Sequence, residues 1–419
     1  MALGALLAGC ARPVPVTVPG PDRLAARPFV PIGLAVPVLP GIEGILTDST
    51  HLLQGRRVGL LTNQAGIDAS GVSDVDRLLR AGVRMVALFG PEHGIRGTAA
   101  PGEAVASSVD SATGLPIYSL YAVRDHPTAP TDSMLAGIDV MLIDLPDVGA
   151  RYFTNLNATI AMMRVATQLH KPVVVLDRPN PIGGAVQGNV LDWAFRSPVG
   201  PLAMPMRPGL TMGELARLAN LDLNLGADLR VIPVGNWRRE QSLDQTGLPF
   251  VQPSPNLKDL EGLFHYPGFC LFEGTALSVG RGTELPFHQI GAPWLDVHAV
   301  LSVLPTDRLP GVEFLGVKFT PNHPGDAKFD GVPVQGIRVV LTDPRTYDPV
   351  LTALVLLTAI QRIHPDSLGF KASGFDNLAG GKSLREAVLN GQDPFAIADA
   401  WKVDLQSWTR HRESVLLYR

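Results

Sequence analysis

The chain has 419 residues, 46% apolar and 18% charged, enough to bury a sizeable core in two or three domains. Its net charge of −4, without blocks of like charge, argues against a nucleic-acid footprint. Two cysteines, Cys10 and Cys270, make no disulfide framework and no cysteine metal site, and no apolar run reaches the roughly 18 residues that span a bilayer.

Residues 1–10, MALGALLAGC, end in Leu7-Ala8-Gly9-Cys10, which resembles a bacterial lipobox. That predicts lipidation at Cys10 and a membrane-anchored place on the periplasmic side of the cell envelope. Eight prolines follow within residues 11–40, the composition of an extended tether. From residue 41 the pattern changes. Short apolar runs at 58–61, 83–89, 138–143, 172–176 and 229–234 alternate with helical spacing at 72–81, 154–170 and 211–219. Nearly continuous apolar runs between helices predict a parallel sheet covered on both faces, so residues 41–250 read as one doubly wound α/β domain. Residues 251–419 are richer in Pro/Gly turns. A strand at 332–341, an apolar helix at 350–363 and short helices at 383–390 and 395–402 predict a smaller α+β unit.

Ligands of open α/β sheets bind beyond the carboxyl ends of the strands. Four of the runs end in polar clusters there. The first gives Asn63 and Gln64, the second Glu92, His93 and Arg96. The third supplies Asp144, Asp147, Arg151 and Tyr152, and the fourth Asp177, Arg178 and Asn180. Any one cluster could be an ordinary capped turn; four at one edge point to a shared cleft. The second unit adds Asn256, Glu273, Arg281, Thr283 and Glu284 among glycines that allow close backbone approach. No G-x-G-x-x-G follows the first strand, and no G-x-S-x-G or H-E-x-x-H occurs. Gly380-Gly381-Lys382-Ser383 lacks the first glycine of a phosphate loop and reads as a turn into a helix. The histidines are scattered without ligand spacing, so neither a metal nor another cofactor is expected.

Carboxylates remain. Glu92 follows an apolar strand that holds its backbone, and partial desolvation would suit it to general acid work; a solvent-facing carboxylate at a helix start is the plain alternative. Asp144 and Asp147 could be a second carboxylate, a proton-sharing pair or turn formers. Asp144 ends an apolar run and needs a partner, with Arg151 or Arg178 available for a purely structural ion pair.

Taken together, the motifs resemble the NamZ-type exo-β-N-acetylmuramidases. The matching pieces are TNQAG at 62–66, LFGPEHGIRG at 88–97, DLPDVGARYFT at 144–154, DRPNPIGG at 177–184, PSPN at 253–256, EGT at 273–275 and GRGTELPF at 280–287. The chain departs from the family pattern at Pro146, Asn155 and Pro208. The resemblance implies a Rossmann-like catalytic domain, a smaller flanking domain completing a cleft, and release of terminal N-acetylmuramic acid from non-reducing ends of peptidoglycan fragments. The family glutamate proposed as catalytic falls on Glu92. Asp144, Asp147, Glu273 and Glu284 compete for the second carboxylate role. The lactyl carboxylate of the sugar would favour Arg96, Arg151, Arg178 or Arg281. The alternative reading is a wall-binding lipoprotein without turnover.

Overall fold

The computed structural model describes residues 36–100, 102–123 and 129–419; Cys10 and the tether up to residue 35 lie outside them. The first unit is built on a seven-stranded sheet. Its strands are β1 (Val58–Thr62), β2 (Met85–Gly90), β3 (Ser108–Val109), β4 (Pro116–Ser119), β5 (Val140–Asp144) and β6 (Val173–Leu176), followed by the hairpin β7 (Gln187–Val190) and β8 (Pro205–Arg207), which stands apart, and then β9 (Leu229–Ile232). The order across the sheet is β3-β4-β2-β1-β5-β6-β9, with only β3 antiparallel. Renumbered in chain order, the six parallel strands run 3-2-1-4-5-6, the order of doubly wound mononucleotide-type sheets. The direction of winding reverses between β1 and β5, and such a switch point opens a crevice at the carboxyl ends of the strands.

The apolar runs are legible as sheet because both faces are covered. Leu60, Leu88, Leu142 and Val174 point to one face, where they meet Ile42 and Ile45 of helix Gly41–Thr47 and Leu78 of helix Asp74–Arg80. Leu61, Phe89, Ile143 and Val175 point to the other, against helices Asn155–Gln168 and Met212–Asp222. Register places Leu61 beside both Phe89 and Ile143, and Thr62 beside Asp144, so the loops after β1, β2 and β5 leave the sheet at one level.

The second unit has a three-stranded antiparallel sheet, β10 (Gln289–Ala292), β12 (Val334–Leu341) and β11 (Val312–Phe319) in spatial order. Helices Leu260–Phe269 and Pro349–Ile363 pack on it. Its core also takes in Val148, Tyr152, Phe153 and Ile182 from the loops after β5 and β6. The second unit therefore sits on the carboxyl edge of the first. Gly380 ends helix Ala372–Ala379 in the left-handed conformation, and Ser383 begins the next helix, so the glycine pair there is a turn.

Two boundaries differ from the sequence expectation. Val38 is buried with Val234, Trp237 and Tyr418, and Leu39 exchanges both backbone hydrogen bonds with Gly235, so the last residues of the expected tether belong to the body. Trp408 and Val415, expected in the second unit, pack into the core of the first. Among the described residues no helix is long and apolar enough to cross a membrane.

Candidate active site

Glu92 lies two residues beyond β2. Its Oε2 accepts a hydrogen bond from Thr154 Oγ1 at 2.7 Å and its Oε1 accepts one from the Gly102 amide at 3.1 Å. Thr154 belongs to the loop after β5, so the first bond crosses the carboxyl end of β1, over the switch point. The turn after Glu92 is tight: His93 has φ +71° and Gly94 φ +72°, and His93 Nδ1 is 2.7 Å from the Ala99 carbonyl oxygen. A non-glycine residue in this region is uncommon and holds the glutamate in a backbone setting that the surroundings must enforce. Gln64 supports the same loop. Its Nε2 donates to the Gln252 carbonyl at 2.8 Å, and its amide occupies the space that a Cβ on Gly97 would fill.

Asp147 is the second notable carboxyl group. It lines a cavity of about 70 Å³ together with Ala65, Ile67, Arg178, Pro253 and Phe250. Burial pushes its pKa up to about 7, although the Gly149 amide donates to it at 2.6 Å. No cation lies against it among the described residues. Gly149 must be glycine: its φ is +79°, and a Cβ would lie 2.5 Å from Ile182 Cγ1 and 2.6 Å from Asn180 Oδ1.

Several other residues expected in the cleft are committed to the fold. Asp144 is fully buried and paired with Arg178, whose Nη2 also reaches Asp74 at 2.7 Å and whose Nη1 donates to the Ile67 carbonyl at 2.8 Å. The structural ion pair is thus the observed arrangement, and a second carboxylate of the reaction has to be sought elsewhere. Arg151 meets no carboxylate among the described residues. It donates to the carbonyls of Asn189, Met204 and Leu378, joining the two units from within. Tyr152 donates to the Pro267 carbonyl. Asp177 accepts from Thr211, the Gly213 amide and Tyr418 at the start of helix Met212–Asp222; burial raises it to about 6 against these donors. Asn63 and Asn180 close turns, accepting from the Ala65 and Ile182 amides.

The second unit contributes another polar group. Glu273 is bound by Arg281 Nε at 2.6 Å, and Cys270 Sγ lies 3.5 Å from its other oxygen. Burial, followed by the Glu273 charge, pushes the Cys270 thiol well above its usual range, so it is no nucleophile. Lys328, which sequence reasoning missed, donates to the carbonyls of Phe272, Glu273 and Leu277, and burial lowers it to about 8. It sits in a turn-rich stretch with no pattern to single it out. An edge contact between Tyr152 and Tyr266, with ring centroids 6.1 Å apart, links this group to the loop that carries Thr154. Thr283 closes its own turn on the Gly280 carbonyl. Glu284 is 95% exposed and, among the described residues, paired only with Lys258. Arg96 is 69% exposed and bonded to Asp110 at 2.9 Å. The half-buried Asn256 side chain has no hydrogen-bond partner among the described residues.

The histidines correct one expectation. His265 and His288, distant in sequence, come together beside Glu261. The i, i+4 spacing of Glu261 and His265 on one helix was the available signal; the third residue arrives from the approach to β10.

Family models of the exo-β-N-acetylmuramidase NamZ match residues 58–261 with its N-terminal part and 264–418 with its C-terminal part. The chain belongs to the NamZ family. It is thereby a member of a family of glycoside hydrolases. It is 38% identical over 384 residues to the peptidoglycan β-N-acetylmuramidase NamZ of Bacillus subtilis (strain 168), covering 91% of each chain. Two solved structures of DUF1343 family proteins from Bacteroides fragilis NCTC 9343 share the NamZ fold seen here. One has TM-score 0.84 and 31% identity over 92% of this chain and all of its own. The other has TM-score 0.72 and 29% identity over 92% of this chain and 99% of its own. Two departures from the NamZ motif pattern touch each other: Asn155 Nδ2 donates to the Pro146 carbonyl at 2.8 Å.

Proposed function

We propose that this chain is an exo-acting β-N-acetylmuramidase that releases terminal N-acetylmuramic acid from the non-reducing ends of peptidoglycan fragments, with Glu92 as its general acid. The observation that carries the reading is the setting of Glu92. The residue that matches the family glutamate is rigidly held at the switch-point crevice, with one oxygen on a hydroxyl and one on an amide. A general acid must be positioned before its acidity matters. Asp147 and Glu273 are the remaining candidates for the second carboxylate. Burial raises Asp147 to about 7 in its pocket, whereas Glu273 is bound by Arg281 at 2.5 Å. Of the four arginines considered for the lactyl group, Arg151 and Arg178 are buried on partners inside the protein, leaving the more accessible Arg96 and Arg281.

Supporting the envelope reading, the lipobox-like sequence ahead of Cys10 would supply a lipid anchor. Cys10→Ala should then move the protein from the membrane to the soluble fraction.

The activity is tested with purified protein on a chromogenic β-N-acetylmuraminide and on the matching N-acetylglucosaminide. Turnover of the first alone is expected. Equal turnover of both, or of neither, would overturn the assignment. Internal cleavage of intact peptidoglycan, without release of single sugars, would overturn the exo mode.

A further inference from the structure

We propose that Glu261, His265 and His288 form a binding site for one transition-metal ion, of the zinc class, that fastens the second unit. Glu261 Oε1 lies 3.5 Å from His265 Nε2 and 3.7 Å from His288 Nδ1. Both distances exceed good hydrogen bonds, and both ring nitrogens are buried without a hydrogen-bond partner. His265 is 0% and His288 3% exposed. Tetrahedral zinc with bonds of 2.0–2.1 Å holds its ligand atoms about 3.4 Å apart, close to the spacing seen.

The outer contacts set the rings for this task. His288 Nε2 is 2.9 Å from Asp259 Oδ1; with the ring proton on that nitrogen alone, as metal binding requires, the Nδ1 lone pair faces the centre. His265 Nδ1 is 2.7 Å from the Tyr347 hydroxyl. When His265 donates in that bond, its Nε2 lone pair also faces the centre. Glu261 Oε1 is itself held by the Leu341 amide at 2.9 Å. In these tautomers three lone-pair donors face one another, an arrangement that a divalent cation resolves; without the metal, a proton on His288 between Asp259 and Glu261 takes its place. Two imidazoles and one carboxylate suit zinc, and a water reaching the half-buried Glu261 side would complete four ligands.

Among the described residues, the hydrogen bonds of Glu92, Asp147 and Glu273 go to other groups than this cluster, so the ion is assigned to structure. It would join helix Leu260–Phe269 to the strand β10 that follows His288. The same helix leads directly into Cys270 and Glu273.

Tag-free full chain, stripped with a chelator and dialysed, should take up one Zn²⁺ per chain and melt several degrees higher with it. Co²⁺ should give the intense visible bands of a tetrahedral site. His288→Gln should abolish both effects. Asp259→Asn, which keeps a good helix cap, should weaken binding about 10–100-fold, as outer-contact losses do. Absence of stoichiometric zinc on folded wild-type protein would overturn the site, whatever the variants do. Equal uptake by wild type and a folded His288→Gln variant would overturn it as well, since binding would then lie elsewhere.

Discussion

Glu92 and Asp147 are both carboxyl groups beyond strand ends, but their surroundings differ and so do the expected outcomes of replacing them. Glu92→Gln removes a transferable proton while keeping the shape and an acceptor for Thr154. The loss should fall on kcat and amount to roughly 10²–10⁴-fold on a disaccharide. A nitrophenolate leaves without protonation, so the chromogenic substrate should suffer less in the bond-breaking step. Equal losses on both substrates would assign Glu92 a nucleophilic or positioning role instead. Asp147 is tested through stability. Burial raises its pKa from 3.8 to about 7, so between those values the folded chain keeps a proton that the unfolded chain has released. Its contribution to stability therefore falls as pH rises through that window and is flat above it. Asp147→Asn abolishes this term, and urea midpoints should favour the variant more at pH 8 than at pH 5. An unchanged difference between the two pH values would show that Asp147 ionises freely in the fold. Glu92 stands out in the sequence as a candidate because it lies two residues beyond an apolar strand. Asp144 and Asp147 could not be told apart there. What separates them is the Arg178 side chain, which comes from another loop and chooses the first.

Most strands that the sequence announced are buried on both sides, with the edge strand β9 as the exception. β1, β5 and β6 are buried along their whole length, so their apolar runs are unbroken. By contrast β4 and β11 are mostly half-exposed, and their mixed patterns resemble loops. Helix Leu260–Phe269 contains Pro267, which reads as a break, and helix Lys402–Arg412 buries only Trp408 of its polar surface. What ties the predicted elements together is equally invisible locally. Arg178 stands after β6 and binds Asp144 at the end of β5 and Asp74 at the start of a helix, both fully buried. Arg178→Met keeps the apolar stem but leaves two buried carboxylates without a cation. Breaking a buried pair in this way costs about 3–5 kcal/mol, and chemical denaturation should show a loss of that size. Adding Asp74→Asn and Asp144→Asn to the same chain should recover part of it. A single-variant cost below about 1 kcal/mol would mean that water reaches these groups and screens them.

At the scale of the whole molecule the two ends of the described chain close the first unit together. Val38 packs with Val234, Trp237 and Tyr418, and the Tyr418 hydroxyl donates to Asp177 while accepting from the Val234 amide. Asn236 holds the Pro37 carbonyl at 2.9 Å, and Leu39 is bonded through both its amide and its carbonyl to Gly235. Proline counting alone assigns these residues to the tether, because a segment of four residues has no periodicity to read. The contacts make a definite statement about where the chain can be cut. A chain beginning at Val36 keeps all of them and should melt at the same midpoint as the full chain. One beginning at Gly41 loses the burial of Val38, worth about 1.5–3 kcal/mol, together with the Leu39 pairing. It also uncovers Trp237 and Tyr418 beside Asp177, so its midpoint should fall by several degrees. Val38→Ala in the longer chain should reproduce part of the fall without touching the backbone bonds. Equal midpoints for the chains beginning at Val36 and Gly41 would show that the strand-like entry adds nothing to the fold, and that Tyr418 and Asp177 hold the C-terminal residues in place unaided.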